Sequence, residues 1–185
     1  IAQAQPYREG AKLLGTVVDL PEIETTTGET VRKGVPTVVV FVQVKGCDLC
    51  TATGYIVQSW RERYPNVQVV AVDTRSARAA VEAWGVEYGV PVVFDATDAF
   101  EDAFDTNLVH AYLLNEKGEV VDRVRPLYRS QWVALDRQLA RANDGDWQAV
   151  RENVVSLPAL GGLTRSTPSV PLGTGSPTVV LSGDG

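Results

Sequence analysis

Apolar residues along this chain fall in blocks that alternate between the period of a buried strand and that of a helix. Pro36 opens Thr37-Val38-Val39-Val40-Phe41-Val42-Gln43-Val44, a continuous β-branched run ended by Lys45-Gly46. A strand shows no polar alternation when helices cover both of its faces. From Cys47 to Tyr64 the pattern is helical, with Ile56, Val57 and Trp60 on one face and Pro65 as the stop. Val67 to Val72 is the next buried strand, closing at Asp73. Ser76 then caps a helix through Trp84, which Gly85 ends. Strand, helix, strand, helix in this order builds a parallel sheet through right-handed crossovers.

Val90 to Phe94 predicts a short strand and Asp98 to Phe104 a short helix. Leu108 to Leu114 and Glu119 to Val124 predict an antiparallel pair joined by a turn over Asn115-Glu116-Lys117-Gly118. Ser130 caps a last amphipathic helix, with Trp132, Val133, Leu135, Leu139 and Ala140 on its core face, and Asp146 to Val155 adds a short one. Ahead of the first long strand, Leu14 to Leu20 and Glu22 to Val31, with the turn Thr27-Gly28-Glu29, predict a hairpin region. Residues 1–12 form a polar lead-in, 13–156 a single domain, and 157–185 an extended tail. The fold class is α/β, a central mixed sheet of four to five strands flanked by helices. The tail is rich in Gly, Pro, Ser and Thr and too poor in apolar residues for a core of its own. Within it Val179, Val180 and Leu181 suit pairing with an exposed sheet edge, which makes the tail an expected arm toward a larger assembly.

Composition narrows the function classes. The 185 residues are 44% hydrophobic and 22% charged, enough for a packed core. A net charge of −6 and the lack of a Lys/Arg cluster disfavour nucleic acid. No apolar run reaches the length of a transmembrane segment. The chain has no Met, and Ala2-Gln3-Ala4 is similar to the small-residue end of a signal peptide, so an extracytoplasmic location is expected. The four Trp residues, 60, 84, 132 and 147, read as packing anchors. Asp95, Asp98, Glu101, Asp102 and Asp105 read as a solvated helix face.

The chemistry concentrates at Cys47-Asp48-Leu49-Cys50, which holds both cysteines of the chain. A strand delivers Cys47 to the first turn of a helix, where unpaired N–H groups and the dipole favour a thiolate. Cys50 is one turn along, within reach of a mixed disulfide formed at Cys47. Cys47 is thus the attacking and more exposed thiol, Cys50 the resolving and more buried one. The alternative is an inert local disulfide, whose small loop would add little stability.

From about Lys12 to Ala142 the sequence resembles the thioredoxin-like superfamily, in its redoxin branch. The resemblance rests on Gly28-Glu29-Thr30-Val31, on Val38 to Val44 leading into the Cys pair, on Val90-Pro91-Val92-Val93-Phe94-Asp95, and on Leu108 to Val120. The TlpA/ResA-type thiol–disulfide oxidoreductases are the nearest match and the Sco-type copper chaperones the near alternative; peroxiredoxins match worst. The resemblance implies catalytic roles for Cys47 and Cys50 without a cofactor, acting on protein thiols or disulfides. The Sco alternative implies copper held by Cys47, Cys50 and His110, the only His. The bland reading of His110 is an ordinary surface or strand-edge residue. The chain departs from the redoxin pattern at Gly46, where Trp is usual, and at Asp48-Leu49, where Pro is usual. Asp48 raises the pKa of a neighbouring thiol. Phe41 stands six residues before Cys47, where thioredoxins carry a buried acid, and Asn107-Leu108-Val109-His110 lacks the usual cis-proline. These departures keep a third reading open, a non-catalytic thioredoxin-fold subunit of a larger assembly.

Overall fold

The computed structural model describes residues 14–45, 48–106, 109–125 and 129–152, with backbone only at 48–51. The lead-in, the tail with Val179, Val180 and Leu181, and Cys47 itself lie outside the described residues.

Five strands form one mixed sheet in the order β3-β2-β1-β4-β5. β1 (Thr37–Val42) pairs in parallel with β2 (Gln68–Asp73), and β2 in parallel with β3 (Val92–Phe94). On its other side β1 pairs antiparallel with β4 (Ala111–Leu114), which pairs antiparallel with β5 (Val120–Val124). The helices are α1 (Asp48–Arg63), α2 (Arg78–Tyr88), α3 (Ala99–Phe104), α4 (Arg129–Asn143) and α5 (Trp147–Glu152).

All six residues of β1 are buried, as its unbroken apolar run requires. Alternate side chains feed two separate cores. Val38, Val40 and Val42 join Val57 and Trp60 of α1, Trp84 of α2, Leu135 and Leu139 of α4 and Val150 of α5. Val39 and Phe41 join Phe100 and Phe104 of α3, Tyr112 of β4, and Val18, Leu20 and Val31 from the N-terminal segment. Each fully buried Val or Phe contributes about 1.5–3 kcal/mol relative to exposure, so β1 is the spine of the domain.

Several local expectations are corrected. Ser76 does not cap α2: its N–H and hydroxyl both donate to Asp73, at 2.6 and 2.8 Å, and the helix starts two residues later. Gly85 does not end α2. A Cβ there would lie 2.9 Å from Thr26 Oγ1 and 3.0 Å from the Val90 carbonyl, so this glycine serves a close approach. The helix ends instead at Gly89, which takes the left-handed conformation with φ 61°. Leu14 to Leu20 is not one arm of a hairpin with residues 22–31. It lies along the β4–β5 turn, where Gly15 and Val18 donate to Val120 and Gly118, while Ile23 to Val31 closes its own small hairpin around Gly28. Val133 is 42% exposed rather than core, its place taken by Gln138 and Ala142. Ser130 lies inside the first turn of α4. Of the tryptophans, Trp60 and Trp84 are buried, while Trp132 and Trp147 pack at the core's edge.

The acidic cluster is not a uniformly solvated face. Asp95 and Glu101 are buried. Asp95 turns its carboxylate onto the N-terminus of α3, accepting from the N–H groups of Ala99, Phe100 and Glu101 at 2.8–3.0 Å. Burial pushes its pKa up, and those three donors pull it back only in part.

Candidate functional site

The C-terminal end of the central strand leads directly to the Cys pair. After Val42, residues 43–45 form a short loop, and α1 begins at Asp48, the residue after Cys47. Cys50 is the third residue of α1. The side chain of Cys50, like all of Cys47, lies outside the described residues, so the expected order of exposure of the two sulfurs does too. α1 runs for 16 residues, and its N-terminal N–H groups and dipole are directed at the end that carries the pair.

A buried carboxylate holds the approach loop. Asp73, at the end of β2, is 0% exposed and accepts from Val44 N–H at 2.8 Å. It also accepts from Arg75 N–H at 2.8 Å and from Ser76 N–H and hydroxyl. Four donors from two loops thus converge on one side chain. They tie the segment before Cys47 to the loop before α2, and they satisfy backbone groups that no strand pairs. In the sequence Asp73 reads only as the end of a strand; an acid closing a buried β-branched run is the signal for such a clamp.

Phe41 does not lie beneath α1. It faces α3, with its ring 5.4 Å from Phe104 and 6.0 Å from Tyr112. The residues of β1 beneath α1 are Val38, Val40 and Val42. Strand side chains alternate, so a count one residue out exchanges the faces.

His110 stands just before β4, beside the end of β1, where its carbonyl accepts from Phe41 N–H at 2.8 Å. It is 7% exposed, a buried strand-edge residue rather than a surface one, and its Nδ1 lies 3.3 Å from the Thr106 hydroxyl. Among the described residues no cis peptide bond occurs, and no three His, Cys, Asp or Glu side chains gather to hold a metal. The copper set of Cys47, Cys50 and His110 needs residues outside that description.

Two further acids, Asp122 and Asp136, carry no signal in the sequence pattern. Asp122 of β5 is buried beneath α4, and desolvation pushes its pKa up against hydrogen bonds from Arg123 N–H and the Gln138 amide. Along α1 itself, Asp136 of α4 accepts from Trp60 Nε1 at 2.8 Å, from Arg63 Nη2 at 2.6 Å and from the Tyr64 hydroxyl at 3.1 Å. This cluster locks the helix of the Cys pair onto α4.

No family model matches the sequence, and no curated protein matches it. Solved structures do match. A candidate protein disulfide isomerase from Bacteroides thetaiotaomicron superposes with a TM-score of 0.62 at 16% identity, over 75% of this chain and 95% of that one. A candidate thiol:disulfide interchange protein DsbE from Chlorobium tepidum gives 0.59 at 18% identity, over 70% and 97%. A secreted Mycobacterium tuberculosis disulfide oxidoreductase homologous to E. coli DsbE gives 0.53 at 18% identity, over 63% and 91%.

Proposed function

We infer that this chain shares the thioredoxin-like fold of those neighbours. We propose that the protein is a thiol–disulfide oxidoreductase working outside the cytoplasm on protein cysteines, with Cys47 as nucleophile and Cys50 as resolving thiol. The observation that carries the reading is the position of the Cys-x-x-Cys segment, at the junction between the central strand and the N-terminus of a long helix. The location is supported by the secreted M. tuberculosis neighbour and by the need for a compartment in which disulfides persist. Among the described residues no helix is long and apolar enough to cross a membrane.

In the proposed reaction the Cys47 thiolate attacks one sulfur of a substrate disulfide. A mixed disulfide forms, and the other substrate sulfur leaves as a thiolate and takes a proton. The Cys50 thiolate then attacks Cys47, closing the Cys47–Cys50 disulfide and releasing the second substrate thiol. The substrate gains two electrons and two protons, and the protein loses them. Run backwards, the same steps oxidise a dithiol. The Val44–Asp73 clamp holds the approach to Cys47, and the N-terminus of α1 stabilises the thiolate in both directions.

The test is single turnover of pre-reduced protein against a small aromatic disulfide, followed by the released thiol. Wild type should release thiol in proportion to protein. Cys47→Ser should abolish turnover, and Cys50→Ser should stall at the mixed disulfide. Full exchange by Cys47→Ser would refute the mechanism. The copper reading has one observation in its favour, the placement of His110 beside the end of β1. Competition for Cu(I) against a colorimetric chelator, with His110→Ala as the variant, decides it. Unchanged affinity in that variant removes His110 from the ligand set.

A further inference from the structure

Three stretches that leave the sheet at the start of α1 are basic in an acidic chain. Strands β1, β2 and β5 all run toward that end, β2 parallel to β1, and β5 by way of the antiparallel β4. Residues 43–47, leaving β1, hold Lys45. Residues 74–78, leaving β2, hold Arg75 and Arg78, and residues 125–131, leaving β5, hold Arg125 and Arg129. None of the three stretches contains an acid, although the chain has a net charge of −6. All five cations are exposed. Asp48, at the start of α1, sets one negative charge among them.

Hydrogen bonds fix the roots of this basic rim. Val44 N–H and Arg75 N–H both donate to Asp73, each at 2.8 Å, so Lys45 and Arg75 leave adjoining points of two loops. Arg78 lies over the Phe94 ring, 5.8 Å from its centroid, and its Nε donates to Glu82 at 2.7 Å, so that pair is neutral as a unit. Arg125 and Arg129 stand on the far side of β1, because the strand order puts β5 three places from β2. At about 4.8 Å per strand, the cations span about 14 Å across the end of the sheet. The opposite face of the sheet carries the opposite sign. There α3 packs in the core that α1 does not share, and Asp98, Asp102 and Asp105 around it are exposed or half-buried.

We propose that this rim docks an acidic segment of a partner protein, extended across the start of α1 with carboxylates on both sides of its reacting cysteine. The span selects that occupant. A small anionic thiol meets the cations of one loop, whereas four or five extended residues, at about 3.3 Å each, cover the distance from Arg75 to Arg129. The α3 carboxylates repel the same segment from the other face, which sets its side of approach. Steering of this kind raises association rates and is screened by salt. The inference names the charge class of substrate for the redox reading and rests on that reading for its purpose, but its binding test does not depend on turnover.

The experiment uses two synthetic peptides whose single cysteine is flanked on both sides by Glu or by Lys and is held as a mixed disulfide with a chromogenic aromatic thiol. A version of each with Ser for that cysteine serves for binding by titration calorimetry. Pre-reduced full chain is mixed with each disulfide in single turnover at about 20 and 200 mM salt. At low salt the Glu peptide should react about tenfold faster than the Lys peptide, and most of that preference should vanish at high salt. The ratio of the two rates is the readout, because a change in thiol acidity alters both alike. Arg75→Glu and Arg129→Glu should each cut the ratio about threefold, Arg75→Gln and Arg129→Gln by less, and the double reversal should bring it to about one. A free aromatic disulfide bearing carboxylates should respond to Arg75→Glu and not to Arg129→Glu; equal response to both overturns the extended segment. A ratio near one in wild type, or one that neither reversal moves, overturns the proposal. So does self-association by light scattering that Asp102→Lys abolishes, since a second copy then occupies the rim. Selective binding of the Glu peptide's Ser version with no reduction of any disulfide retains the rim and overturns the redox reading.

Discussion

Asp136 should be the side chain whose loss most directly loosens the helix of the Cys pair. Asp136→Ala removes the acceptor of Trp60 Nε1, on a residue only 1% exposed, and leaves a buried indole N–H unpaired. That costs about 1–3 kcal/mol. The Arg63 pair adds little, because Arg63 is about half exposed and solvent screens such pairs, which contribute about 0–1 kcal/mol. Relief of Asp136's own desolvation offsets part of the loss. The net expectation is a destabilisation of about 2 kcal/mol, or about 4–8 °C in Tm for a domain of this size. Urea unfolding followed by Trp fluorescence reads it as a shift in midpoint at constant slope. The difference should depend on pH. Burial opposes the Asp136 charge, but hydrogen bonds from Arg63, Trp60 and Tyr64 outweigh it and hold the carboxyl below its ordinary value of 3.8. An acid depressed in the folded state contributes above its unfolded pKa and loses that contribution as pH falls through the folded one. The gap between variant and wild type should therefore be full at pH 7 and shrink in acid below that ordinary value. A loss under about 0.5 kcal/mol at neutral pH would refute the locking role.

Asp122 has the opposite sign: burial raises its folded pKa, so its contribution is favourable in acid and lost as pH rises through that raised value. Asp122→Asn should be more stable than wild type at pH 7 and equal to it in acid, and urea unfolding at both pH values reads this; a variant less stable at pH 7 contradicts it. Gly54→Ala would place a Cβ 2.5 Å from the Tyr88 ring, which Trp84 and Tyr55 hold in place. Overpacking of about 1–3 kcal/mol should exceed the helix-propensity gain of about 1 kcal/mol, and a raised Tm would show that α2 moves aside freely. Asp95→Asn leaves at most one carbonyl oxygen for three N–H donors, so α3 should lose protection in amide exchange before the sheet does. Simultaneous loss across both would refute the local role.

The succession of strands and helices was legible because β1 and β2 are buried on both faces and carry few polar interruptions. The same sequence misled wherever a residue type has two uses. Ser76 and Gly85 have the composition of a helix start and stop, but Asp73 captures the serine and the Thr26–Val90 contact demands the glycine. Asp95 and Glu101 count as charge in a composition, and only tertiary structure shows them turned inward. Leu14 to Leu20 pairs with a turn about a hundred residues away in sequence, which no local pattern encodes. Of the candidate site, the junction between strand and helix was readable, while the Asp73 clamp and the Asp136 cluster depend on side chains far apart in the chain.

The loops around the site are organised by buried polar groups rather than by apolar packing. Asp73 gathers the segments before Cys47 and before α2, Asp95 gathers the start of α3, and Thr106 meets His110. A carboxylate has several acceptor positions, so one side chain can satisfy the unpaired N–H groups that two converging loops bring together. Beneath α1, strand β1 offers Val38, Val40 and Val42. No acid or base from β1 therefore titrates under the helix of the Cys pair. In the proposed reaction, thiol acidity then depends on two influences of opposite sign. The N-terminus of α1 lowers the pKa of a thiol there, and the carboxylate of Asp48, one residue from Cys47, raises it. The helix-terminus effect is about 0.3–1 kcal/mol for an exposed charge, and a neighbouring carboxylate in water acts on a scale of about 1 kcal/mol. Influences of opposite sign and similar scale offset each other, so an Asp in the Cys-x-x-Cys insert opposes the gain in thiol acidity that the helix effect alone would bring. In the proposed reaction a reduced form that gains little extra stability gives up its electrons more readily, which favours reducing substrates over oxidising them.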